Sequence, residues 1–168
     1  IYTNANAKTV LESILGGHFD LELSGDLQSE KLTGYIADCT RREALQQVAF
    51  ALRAVVDTSG SGNVKVWRLP ENDPAEIPLN RLYTGGDVST SAIVTEVRVT
   101  AHTYSTSGSG SDTVEVGGKT YHHTTAVTTK SNPNVTASTK PNVIEVKDAT
   151  LVNSTNVAAV TQHVFDYY

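Results

Sequence analysis

The sequence predicts an α+β protein, a small strand-helix-strand α+β domain followed by a β-rich, barrel- or sandwich-like domain closed by a C-terminal helix. Three observations carry this reading. The stretch 32–69 reads as strand, capped helix, Gly-rich turn and strand without interruption. Beyond residue 78 the composition turns to Thr, Val and Ser in long alternating runs, which suit a pleated surface. At the end, Val157, Val160, Val164 and Tyr168 fall on one stripe at helical spacing.

Taken in order, Val10, Leu11, Ile14 and Leu15 have the spacing of a short helix, and Gly16-Gly17 supplies its stop. Phe19 to Leu23 alternates apolar and acidic residues and reads as a half-buried strand. An extended segment around Tyr35 and Ile36 follows. Thr40 and Glu43 match a capping box, in which each side chain satisfies a backbone donor of the first turn, so a helix starts near Arg41. Ala44, Leu45, Val48, Ala49, Leu52, Val55 and Val56 recur at spacings of three and four, and that face packs on a sheet. The Ser59-Gly60-Ser61-Gly62 turn leads into a strand from Asn63 to Leu69. These elements make a first domain at residues 4–69. Residues 70–78, PENDPAEIP, hold three of the five prolines and read as a stiff connector.

In the second domain, 79–168, residues Ile93, Val97, Val99 and Ala101 share one parity of a long strand, with Glu96, Arg98, Thr100 and His102 on the other. The loop 105–111 precedes a hairpin turning at Gly117-Gly118, whose strands continue toward Thr129. An irregular loop with Asn-Pro and Lys-Pro separates it from a short strand at Val143 to Val146. Asn153 or Ser154 then caps the last helix.

Composition bounds the function. The net charge of -5, with both signs interspersed, gives no basic footprint for nucleic acid and no basic helix for an anionic membrane. No run approaches the ~18 consecutive apolar residues of a membrane span. One cysteine, Cys39, excludes an internal disulfide framework and fits a reducing cytoplasm. The absence of methionine, including at position 1, suggests a piece of a longer polypeptide.

No residue set reads as catalytic, and the expectation is a protein that is not an enzyme and holds no metal or cofactor. His122-His123 is the one adjacent histidine pair, yet neighbours in a strand point to opposite faces and cannot share an ion without a bulge. His18, His102 and His163 stand alone in the sequence. Cys39 lies near a helix start, where a thiol pKa can fall, but it reads as a small residue at a strand-to-helix junction. Asp20 and Glu22 read as a solvated strand face, and the Ser/Gly-rich loops lack the Gly-Lys-Ser/Thr of a phosphate cradle. The Asn134 and Asn153 sequons read as chance triplets. Tyr35, Trp67 and Tyr121 are the candidate ligand-binding residues, as an aromatic platform for cell-wall glycan.

The segment 32–51, LTGYIADCTRREALQQVAFA, resembles tail or baseplate hub proteins of phages and prophages in Gram-positive bacteria. Val143 to Val146, Ala149 to Val152, Asn156 to Val160 and Phe165 to Tyr168 resemble the end of the same hub module. This resemblance implies a structural component of a virion tail, assembled in the bacterial cytoplasm, whose partners are other tail or baseplate subunits and further copies of itself, with no nucleic acid and no membrane. The unit 42–69 also resembles the small N-terminal domains of secretins and TonB-dependent receptors, which makes a ring-forming domain of that kind the alternative, alongside the glycan-binding module.

Overall fold

The computed structural model describes residues 1–60, 62–69, 93–110 and 112–168. The Pro-rich connector 70–78, the predicted domain start at 79, and Ser61 and Ser111 of the two Gly/Ser turns lie outside the described residues.

The class is α+β, with three sheets among the described residues. Strand β1 (Tyr2–Asn6) pairs antiparallel with β3 (Lys31–Gly34), with a break in register between Tyr2 and Ala5 where Asn4 takes a positive φ of 51°. Helix α1 (Ala7–Leu15) is capped by the Asn6 side chain, which accepts from the Lys8 amide at 2.9 Å, and ends at Gly16 with φ 61°. Strand β2 (Asp20–Leu23) runs parallel to β5 (Asn63–Trp67), and β4 (Val55–Asp57) runs antiparallel to β5 on its other side. Helix α2 (Arg41–Leu52) lies in the crossover between them. The capping box forms as its sequence implies: the Thr40 amide donates to Glu43 at 2.8 Å and the Glu43 amide donates to Thr40 Oγ1 at 3.3 Å.

Four features depart from expectation in this half. The chain opens with a strand, which Tyr2 to Asn6 hides because two asparagines and a bulge blur its alternation. The strand before α2 ends at Gly34, short of Tyr35 and Ile36, and it joins β1 and not the sheet under α2. The helix stops at Leu52, so Val55 and Val56 belong to β4. The stop is a Schellman motif: Arg53 adopts φ 55°, the Ala54 amide donates to the Ala49 carbonyl at 2.9 Å, and the Arg53 amide donates to Phe50 at 3.1 Å. Arg68 reinforces it, donating from Nε to the Leu52 carbonyl at 2.9 Å while its guanidinium pairs with Asp26 and Glu30.

The second half is one curled four-stranded sheet, open like half a barrel, in the order β7-β8-β6-β9. Its strands are β6 (Glu96–Ser105), β7 (Asp112–Val116), β8 (Lys119–Ser131) and β9 (Val143–Val146). β7 and β8 form the predicted hairpin around Gly117 and Gly118, both at positive φ. β9 lies parallel to β6. Helix α3 (Val157–Tyr167) covers the face built from Val97, Val99 and Ala101, burying Val157, Val160, Thr161 and Val164. Tyr168, expected on that stripe, is 63% exposed, and Ile93 lies before β6 and is 64% exposed. Neither Asn153 nor Ser154 caps α3 directly. Asn153 instead organises the turn ahead of it, accepting from the Thr155 amide at 2.9 Å, while its carbonyl takes the Val157 amide.

The two halves share a seam. Leu151, from the turn before α3, is 1% exposed and sits in the first core with Leu11, Leu27, Leu32, Val48 and Val66. Phe50 of α2 packs in return against the core under α3. The Tyr35 amide donates to the Thr150 carbonyl at 3.3 Å, Thr150 Oγ1 donates to the Tyr35 carbonyl, and Asn153 Nδ2 donates to the Thr33 carbonyl at 2.8 Å. Gly34 makes this approach available: it has φ 149°, and a Cβ there would lie 2.4 Å from the Thr150 oxygen.

Two substitutions test these backbone arguments by urea unfolding. Gly34→Ala is expected to destabilise by about 2–4 kcal/mol, since both dihedral strain and a backbone clash oppose it. Arg53→Gly is expected to stabilise by about 1 kcal/mol by relieving the left-handed strain at the end of α2.

Candidate functional site

The polar groups that converge most closely lie on the sheet face opposite α3. In the antiparallel register Tyr104 stands directly across from His123, and His102 across from Thr125, so His102, Tyr104 and His123 share that face. β7 adds Asp112, directly opposite His123. Gly110 lets the chain enter β7 against β8, because a Cβ there would come within 2.7 Å of the His123 carbonyl oxygen. The seam closes the site from the other side. The His102 amide donates to the Val152 carbonyl at 2.7 Å, and Tyr35 packs edge-on against Tyr104 with centroids 5.8 Å apart.

His102 is 6% exposed, although it lies on the parity expected to be wet, because the chain leaving β9 runs over it. Both its ring nitrogens are engaged. Nε2 lies 2.8 Å from the Lys147 carbonyl, which can only accept, so Nε2 carries a proton. Nδ1 of neutral His102 is then an acceptor, and His123 Nε2 at 2.9 Å donates to it. The rings are parallel within 3° with centroids 5.1 Å apart, and the 2.9 Å approach of the nitrogens is closer than stacked ring faces come. The contact is therefore a hydrogen bond along the line of centres. Nitrogens that share one tetrahedral ion stand about 3.3 Å apart with lone pairs converging on it, whereas these point at each other. His123 does stack on Tyr104, with centroids 4.7 Å apart and rings within 9°.

The electrostatics follow from burial. Desolvation first, and the neighbouring His123 second, push the His102 pKa below its ordinary 6.5, against the upward pull of the Lys147 carbonyl and Asp148. Tyr104 is pushed up to about 12, chiefly by burial and then by Tyr35 and Asp112, so its phenol stays protonated. With both His102 nitrogens occupied and Tyr104 neutral, the group is built to hold structure together across the seam.

The sequence-predicted residues are spread over the molecule. Tyr35 belongs to this cluster through Tyr104. Trp67 lies at the end of β5 and lines a shallow 520 Å³ cavity with Lys8, Glu22, Gln28 and Lys65. Tyr121 lies on β8 opposite Val114. Trp67 thus ends β5 while Tyr35 lies in the segment after β3, and no cavity among those described takes in both. His122 and His123 face opposite ways, His122 being paired with Ser105 and His123 with Tyr104. Among the described residues no three His, Cys, Asp or Glu side chains gather as a metal set. Cys39 is half-buried, with Gln47 Nε2 3.9 Å from its sulfur. The pairing of His102 with His123 was not anticipated; only the register of β6 on β8 reveals it, and a long alternating strand followed by a hairpin is the signal from which it could have been found.

No family model matches the chain, and no curated protein or solved structure is significantly similar to it.

A His held neutral in the fold gives a definite sign. The unfolded chain, at the ordinary value, takes up the proton first, so this contribution to stability is intact above that value and is lost as pH falls below it. The urea midpoint of the wild type is expected to drop between about pH 7.5 and about pH 5.5, and His102→Gln is expected to flatten that dependence. An unchanged slope in the variant would show that His102 is not the group responsible.

Proposed function

We propose that the chain is a structural part of a phage or prophage tail, hub-like in its module and acting through subunit assembly and not catalysis. The observation that carries this reading is the seam. The stretches that resemble hub proteins, 32–51 on one side and 143–146, 149–152, 156–160 and 165–168 on the other, lie far apart in the sequence, yet they pack on one another through Gly34, Tyr35, Thr150 and Leu151. Phe50 of the first segment reaches the core of the second, and Leu151 of the second reaches the core of the first. A resemblance that follows one packed unit is better support than the same motifs scattered over the surface.

The surface is consistent with a part that meets others. Phe19, Val127, Tyr167 and Tyr168 are large apolar side chains at least 48% exposed. β7 and β9 are the edges of their sheet among the described residues, and β7 carries Asp112 and Glu115, charges of the kind that keep an edge from indiscriminate pairing. On this reading the protein assembles in the bacterial cytoplasm and resides in the virion tail.

The direct check is mass spectrometry on tail particles purified from a producing strain. The chain is expected among the tail proteins at a fixed stoichiometric ratio to the other subunits. Its absence from intact particles would overturn the proposal.

A further inference from the structure

Helix α2 begins beside a cavity of about 460 Å³ whose walls are mostly apolar. Leu15, Leu45, Val56 and Phe19, the last 48% exposed, supply its apolar lining, with Arg41 and Arg42 beside the polar Gln46, Thr58 and Asn63. The volume lies within the ~300–1,000 Å³ range of pockets that seat compact ligands. Neither arginine has an ion-pair partner among the described residues; Arg41 is held only by a long contact, 3.5 Å, from Nη1 to the Leu15 carbonyl. An apolar pocket flanked by unpaired guanidinium groups calls for an occupant that is aromatic and carries a carboxylate.

The same chain displays such a group elsewhere. At the end of α3, Tyr167 is 81% exposed and Tyr168 63% exposed, their rings meeting edge to face at 5.0 Å. Asp166 precedes them, with one carboxylate oxygen taking Gln162 Nε2 at 2.6 Å and the other without a hydrogen bond among the described residues. This exposure means that the tyrosines are not seated in the pocket of their own copy.

We infer that the Asp166-Tyr167-Tyr168 knob of one copy docks into the Arg41/Arg42 pocket of a second copy. The inference rests on the assembly reading above and names one interface within it. Tyrosine and arginine are enriched at the energetic centres of interfaces, and a guanidinium also binds well over a phenol ring. Knob and pocket are different surfaces, so the contact is heterologous and propagates head to tail into a ring or a filament. Together the two tyrosines bring ~300–500 Å² of surface, short of the ~800 Å² per partner in a stable interface. The knob is thus an anchor, and a single contact is weak until closure of a ring adds a second.

Sedimentation velocity with light scattering tests this on three proteins. The wild type is expected to associate as its concentration rises to the millimolar range. Tyr167→Ser with Tyr168→Ser removes the knob, and Arg42→Asp cancels the pocket's positive charge by setting a carboxylate beside Arg41, at an exposed first-turn position where an acid suits the helix. Each variant alone is expected to be monomeric, with circular dichroism unchanged. Mixed, they are expected to form a dimer and nothing larger, because one supplies the only intact knob and the other the only intact pocket. Variants that still assemble like the wild type, or a mixture that stays monomeric, would overturn this interface while leaving the tail assignment standing. A wild type that is monomeric throughout would overturn it equally, and the particle composition would then judge the tail assignment separately.

Discussion

The close approach of the Gly34 backbone to Thr150 and Leu151 governs how the rest of this molecule is arranged. Three hydrogen bonds cross that contact, and a side chain at residue 34 would collide with the Thr150 and Leu151 backbone between them. The contact delivers Leu151 into a core that otherwise draws on α1, α2, β3, β5 and the turn at Leu27. It also sets the path of the chain leaving β9, which brings the Lys147 carbonyl over His102 and the Val152 carbonyl onto the His102 amide. Burial of His102, its fixed tautomer and its lowered pKa all follow from where that segment runs.

The elements that could be read from the sequence are those with a local cause. The Thr40-Glu43 capping box places the start of α2 at the observed residue, Gly16 ends α1, and Gly117-Gly118 turns the β7-β8 hairpin, because each depends on a few neighbouring residues. What was missed depends on partners far along the chain. Val55 and Val56 continue the apolar spacing of α2, and only a left-handed Arg53, with Val56 opposite Val66 on β5, turns them into a strand. His102 has the parity of a wet position, and its burial comes from a segment 45 residues away. Tyr2 to Asn6 lacks any alternating signal and is a strand because β3 supplies its partner.

The candidate site shows the same division. Sequence spacing was enough to see that His122 and His123 cannot share a ligand, since alternation along a strand is local. It could not place His123 against His102, nor Tyr35 against Tyr104, because those meetings need the register of β6 on β8 and the docking of one half on the other. Trp67 and Tyr35, attractive together as a platform, are separated because Trp67 ends β5 while Tyr35 lies past the end of β3, at the seam against Thr150 and Tyr104.

The seam has a consequence for synthesis. A ribosome releases the chain from its N-terminal side, so α1, α2 and the β2-β5-β4 sheet emerge well before Leu151. Until then their core lacks a residue that becomes 1% exposed, and the Thr33 carbonyl waits for an asparagine 120 positions ahead. The first half is thus a receptor for a later segment of its own polypeptide. During translation it is open to any apolar segment that arrives sooner, the circumstance in which nascent chains turn to chaperones.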